Sequence, residues 1–295
     1  MQTKLNPTSA IFALACVGLV IVSQGCSRRL DAGPQPDVAR GEALRSGLAK
    51  AGSASESTAE ESAGGESTGW GTLSATFKYV GTAPKPATIS ASKDPEVCGK
   101  HPLYDESLDV NADGDVANVV LWLRTKVTAK PGSESQAAQV VLDNKNCRFE
   151  PHVVVMTTKQ KLEIKNSDTV GHNSNGVMMV NSPFNPIIPA GQSVDIGLPK
   201  EEPLPAKVGC NIHPWMGAWV VLRNDPYAGV SNKDGVLTMK DLPAGKELEF
   251  QLWQEKVGFL KDVEVQGVKV DSKGRFKLKL AADEDRKLEF KVTIK

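Results

Sequence analysis

Lys207-Val-Gly-Cys210-Asn-Ile-His213-Pro214-Trp215-Met216-Gly-Ala-Trp-Val-Val-Leu222 sets a thiol, an imidazole and a thioether three residues apart, just ahead of an apolar, β-branched run. The run reads as a buried strand and the donors as the loop that enters it. Thiolate and thioether are soft ligands suited to copper(I), and imidazole serves both copper oxidation states. Pro214 restricts His213 to extended or turn conformations, which stiffens the loop. A lone Cys-x-x-His is often only a small buried hydrophobe beside a polar residue. Zinc is the chemical competitor, but structural zinc recruits paired cysteines or histidines rather than a methionine.

A fourth donor is offered upstream. Leu162-Glu-Ile-Lys-Asn166-Ser-Asp168-Thr169-Val-Gly-His172-Asn173 runs a strand into a polar turn that ends on His172. Trigonal His₂Cys with a weak axial Met is the arrangement of electron-transfer copper. His172, Cys210, His213 and Met216 are therefore the expected metal ligands, with copper as the cofactor.

On these two stretches the chain resembles the cupredoxins, the small blue copper proteins. Asn-x-Asp-x-x-x-His-Asn is similar to the segment carrying their first histidine ligand, and Cys-x-x-His-x-x-Met to the short ligand loop of amicyanin, including its proline after the histidine. The resemblance implies an eight-stranded Greek-key sandwich with copper at one end. It also implies that Asn173 braces the cysteine loop through backbone hydrogen bonds. The same resemblance implies an electron port at the edge of His213, where Pro214 and Trp215 form part of an apolar docking patch for a cytochrome or dehydrogenase. The motifs cover about Lys161 to Asn173 and Ala206 to Leu222. Ser174-Asn-Gly-Val-Met-Met departs from the family's usual pattern.

Outward from the loop the chain reads as all-β. Leu73 to Tyr79 alternates, and Val116 to Leu123, Val140 to Leu142, His152 to Met156 and Lys161 to Lys165 are further short strand candidates. Turn residues such as Asn111-Ala-Asp-Gly114 and Lys130-Pro-Gly132 separate them. Strands at this spacing argue for a β-sandwich, so 69–224 is expected to be one copper unit with an N-terminal extension. After Asp225-Pro226 the alternation is clean: Leu248, Phe250 and Leu252 share a face, as do Leu288, Phe290, Val292 and Ile294. Residues 225–295 thus read as a second, small sandwich. It resembles the carboxypeptidase regulatory-like, transthyretin-like domains, which implies a non-catalytic spacer or a carbohydrate- or partner-binding module.

The beginning of the chain reads as an export signal over 1–26, with Lys4, an apolar run from Ile11 to Val22, and Gly25-Cys26. That run is shorter than the ~20 residues needed to span a bilayer. Gly25-Cys26 resembles the end of a bacterial lipobox, although Ser23 stands where such boxes usually carry Leu, Val or Ala. The resemblance implies lipidation of Cys26, and Ser27 after it implies an outer-membrane lipoprotein of the periplasm or cell envelope, held to the membrane by that lipid. Residues 27–68, rich in Ser, Ala, Gly and Glu, are expected to form a flexible tether.

The 35 basic and 35 acidic residues cancel, which gives no basic excess for a nucleic-acid partner. With Cys16 and Cys26 spent, Cys98, Cys147 and Cys210 remain. In an oxidising compartment two of three should pair. A Cys98–Cys147 disulfide is one outcome, and a second Cys₂His₂ metal site with His101 and His152 is the other. Four histidines are too few for a multicopper oxidase cluster. No haem-attachment, nucleophile-elbow or zinc-protease motif occurs either. The expected function is a one-electron carrier rather than an enzyme, the alternative being a non-redox copper-binding or extracellular adhesion or carbohydrate-binding module.

Overall fold

In the computed structural model, residues 69–294 are described, apart from 136 and 262. The expected export signal, tether and lipidated Cys26 lie outside the described residues. Among the described residues the chain is almost wholly β, with one four-residue helix, Pro95–Cys98.

Strand Trp70–Tyr79 buries Leu73, Ala75 and Phe77 on one face and turns Ser74, Thr76 and Lys78 outward. It pairs antiparallel with Val236–Pro243 and parallel with Asp285–Val292. A second sheet places Val120–Leu123 between Ala228–Val230 and Glu247–Gln254, and Arg275–Lys279 pairs with the last of these. The inward faces of the two sheets share one core that includes Leu73, Phe77, Leu121, Leu123, Phe250, Phe276 and Phe290. Fully burying a side chain of this kind contributes roughly 1.5–3 kcal/mol. Pairing therefore crosses the expected division at 224/225. Trp70–Tyr79 and Val120–Leu123 lie before the ligand strands in sequence, yet they complete the two sheets built from the C-terminal segment. The clean alternation after Asp225 marks strands that need these partners to bury their apolar faces.

The segment between these pieces forms its own sandwich. One sheet runs Ser193–Gly197, Lys161–Asn166, Gln139–Lys145, Arg148–Glu150; the other runs Asn175–Val177, Ala206–Gly209, Gly217–Arg223, Val153–Thr157. Leu142, Phe149, Leu162, Ile164, Val208, Val220 and Leu222 fill the space between them, with Cys210 and Met216 in the same cluster. Where the sandwiches meet, Val153, Val221 and Trp219 pack on Val120, Trp122 and Trp253. The rings of Trp219 and Trp253 are 4.8 Å apart, edge to face.

A short cap completes the metal end. Thr88–Ile89 pairs with Leu103–Tyr104, and helix Pro95–Cys98 lies between them. Cys98 is disulfide-bonded to Cys147 over a Cα–Cα distance of 5.4 Å. Around that bond Leu103, Ile89, Val97, Val170 and Trp215 form a small apolar cluster.

Candidate metal centre

Three segments converge at this end of the inner sandwich. His172 opens the short strand His172–Asn173, whose Cα partners are Ile188 and Ile187. Cys210 follows strand Ala206–Gly209, and the loop closes at once onto strand Gly217–Arg223. The Cys210 N–H donates to Met216 O at 3.3 Å and the Met216 N–H to His213 O at 2.9 Å. This turn keeps Cys210, His213 and Met216 together. Asn173 ties the turn to the upstream strand: its Oδ1 accepts the Asn211 N–H at 2.8 Å and the Ile212 N–H at 3.2 Å, and lies 3.4 Å from Cys210 Sγ.

The donors of His172, Cys210 and His213 lie within 4.8 Å of one another, and all three residues are buried. Cys210 Sγ is 3.9 Å from His172 Nδ1 and 3.7 Å from His213 Nδ1. The far nitrogen of each ring is engaged by a carboxylate: His172 Nε2 is 2.9 Å from Asp168 Oδ2, and His213 Nε2 is 2.9 Å from Asp94 Oδ2. A neutral imidazole that donates through Nε2 presents a lone pair at Nδ1, so both rings turn Nδ1 toward one sulfur, and each offers a metal donor there once neutral. Met216 is buried in the same cluster.

The site also stabilises the thiolate. Burial pushes the Cys210 thiol up, but bonds from His172 and from backbone N–H groups outweigh it and hold the thiol below its ordinary value. Burial disfavours a charged His172, yet Asp168 and the sulfur overcome this and lift it to about 9. His213 is lowered, by burial first and then by repulsion from His172, against the pull of Asp94. The two rings lie 4.5 Å apart, which explains why the shifts oppose: a charge on one disfavours a charge on the other.

The expected docking edge needs correction. His213 has no exposed surface, because Asp94 and the cap close over the ring that sequence reasoning left open to partners. Pro214 is exposed, but Trp215 is half-buried, 5.2 Å from the His213 ring, with its indole N–H donating to Cys147 O at 3.0 Å. Sequence reasoning missed Asp94 altogether. Asp168 stood inside the quoted motif without a role, and its spacing of four residues from His172 was the available signal.

Cys98 and Cys147 are spent on each other, so no Cys₂His₂ site with His101 and His152 is assembled. His152 Nε2 instead lies 2.6 Å from Glu255 Oε2, and its Nδ1 is 3.9 Å from Glu106. Glu106, His152 and Glu255 line a cleft of about 470 Å³ that reaches Cys210 and Met216.

No family model matches the chain. No characterised protein matches it in sequence. Similar solved structures include a purple cupredoxin from Nitrosopumilus maritimus, 22% identical over 29% of this chain and 98% of that one, at TM-score 0.25. A reduced Cu(I) form of an amicyanin variant at pH 4 is 18% identical over 35% of this chain and 98% of that one, at TM-score 0.27. A copper-containing nitrite reductase from Thermus scotoductus SA-01 is 20% identical over 33% of this chain and 24% of that one, at TM-score 0.27. That last protein is an enzyme, which runs against the expectation that this chain is not one.

Proposed function

We propose that this chain binds copper at His172, Cys210, His213 and Met216 and exchanges single electrons with a redox protein partner. One observation carries the proposal: two buried imidazoles, each held at Nε2 by a carboxylate, aim Nδ1 at one buried thiol. Imidazole, thiolate and thioether together suit copper better than zinc, magnesium or calcium. Bound copper would supply the one-electron couple.

The chain's own part is to hold the donors still. Cys210 N–H and Met216 N–H close the loop on itself, and Asn173 fastens it to the His172 strand. Asp168 and Asp94 set the ring tautomers, since outer carboxylates orient histidine ligands and raise their basicity. Burial of the three donors keeps bulk water from competing for them.

A second reading, a copper-binding module without electron exchange, draws on the complete burial of His213. Reversible voltammetry of the copper-loaded chain separates the two. A stable, reversible one-electron wave supports the carrier, and an electrochemically silent copper protein supports the module.

The proposal extends to location. An exported lipoprotein of the cell envelope fits the Cys98–Cys147 disulfide, because such bonds persist in oxidising compartments. Labelled fatty acid is expected to enter the full chain and to be lost in Cys26→Ala; equal labelling of both would contradict it.

A further inference from the structure

The two carboxylates that grip the histidines are joined through one covalent bond. Asp94 takes the left-handed conformation, φ 44° and ψ 50°, at the N-cap of helix Pro95–Cys98, a conformation that Asp tolerates better than most residues. Four residues on, Cys98 is bonded to Cys147. The Cys147 N–H donates to Asp168 Oδ2 at 2.9 Å and the Asn146 N–H to Asp168 Oδ1 at 2.7 Å. The disulfide therefore links the segment that carries Asp94 to the turn that grips Asp168.

We infer that Asp94 is a positioning residue of the metal centre, delivered to His213 from the cap, and that the Cys98–Cys147 disulfide is the brace that keeps it there. This rests on reading His213 as a metal ligand. A neutral imidazole without a neighbour populates both tautomers, so Nδ1 can carry the proton and cease to be a donor. Asp94 accepts from Nε2 at 2.9 Å and removes that choice, which leaves the Nδ1 lone pair facing Cys210 Sγ at 3.7 Å. The carboxylate also makes the ring a stronger donor, which favours copper(II) over copper(I). Half of the Asp94 side chain is exposed, and it is the cap's covalent bond that holds it in place. A carboxylate on a free loop would spend much of its time in water.

The test begins without metal. In long-range proton–nitrogen spectra of the labelled full chain, His213 is expected to be a single tautomer protonated at Nε2. Asp94→Ala is expected to give a mixture, and Asp94→Glu to restore the single form. Cys98→Ala/Cys147→Ala should move the His213 signals in the same direction as Asp94→Ala. A second readout uses the copper-loaded chain, where Asp94→Ala raises the preference for copper(I) about tenfold, a shift of about 59 mV for one electron. An unchanged tautomer, or an unchanged potential, overturns the inference. If the unaltered chain takes up no copper, the copper proposal fails separately, and the tautomer spectra still decide the role of Asp94.

Discussion

His172 and His213 are bound by the same chemistry and held from very different distances along the chain. Asp168, four residues before His172, grips the first ring from within its own turn. Asp94 is 119 residues from His213 and reaches the second from a cap outside the inner sandwich. Asp168 has the further task of accepting two backbone N–H groups, whereas Asp94 has a half-exposed side chain. One carboxylate is part of the fold and of the site; the other serves the site.

The largest expected effect comes from removing either ring. His172→Ala and His213→Ala should each weaken copper binding well beyond the ~100-fold that loss of an outer partner costs. A competition titration with a chelator of known affinity measures this, and near-equal binding by either variant would remove that ring from the ligand set.

Next comes the pair of carboxylates. Asp168→Ala should lower copper affinity by about 10–100-fold. It should also cost about 2–3 kcal/mol of unfolding free energy, because two backbone donors lose their acceptor. Asp94→Ala should lower affinity similarly but cost less stability, about 1 kcal/mol, because a single imidazole N–H loses its acceptor and no backbone donor does. Equal destabilisation by the two would erase the distinction drawn between them.

The pH dependence of the metal-free chain should also split. His172 is raised from the usual 6.5 to about 9. Its contribution is complete below 6.5 and is lost as pH rises through about 9, by up to about 3 kcal/mol. His213 is lowered, so its contribution is present above 6.5 and is lost as pH falls. Urea unfolding between pH 5 and 10 should show both limbs, with His172→Ala flattening the alkaline one and softening the acid one, because His213 then escapes the charge that repels its own. If the stability of His172→Ala fell as steeply between pH 6.5 and 9.5 as that of the unaltered chain, the alkaline limb would not belong to His172.

The smallest effect on the site is expected from Trp215→Phe. It loses the bond to Cys147 O and part of the ring that packs on the cap's apolar cluster, and should cost on the order of 1–2 kcal/mol. Little change in copper affinity is expected, since the cap keeps its disulfide.

What could be read from sequence follows the same contrast between near and far. Cys210, His213 and Met216 could be read together because they lie on one turn, whereas the choice of His172, which ends a polar turn 38 residues before Cys210, leaned on the resemblance to the cupredoxins. Alternation also marked Leu73, Ala75 and Phe77 and the C-terminal faces, because burial in a sheet repeats every second residue. Which strands pair was not visible. Trp70–Tyr79 lies parallel to Asp285–Val292, with Ser74 Oγ bonded to Asp285 across 211 residues, and alternation says nothing of a partner that distant. Asp94 was illegible for the same reason: Asp94-Pro95 is an ordinary helix start, and nothing near it names the imidazole it meets.

The central claim is tested most directly by adding copper(II) to a soluble chain beginning at Gly69 and recording its visible and electron paramagnetic resonance spectra beside those of Cys210→Ser. The account predicts an intense thiolate-to-copper band with narrow copper hyperfine splitting, both lost in the variant. A colourless protein, or spectra that Cys210→Ser leaves unchanged, would contradict it.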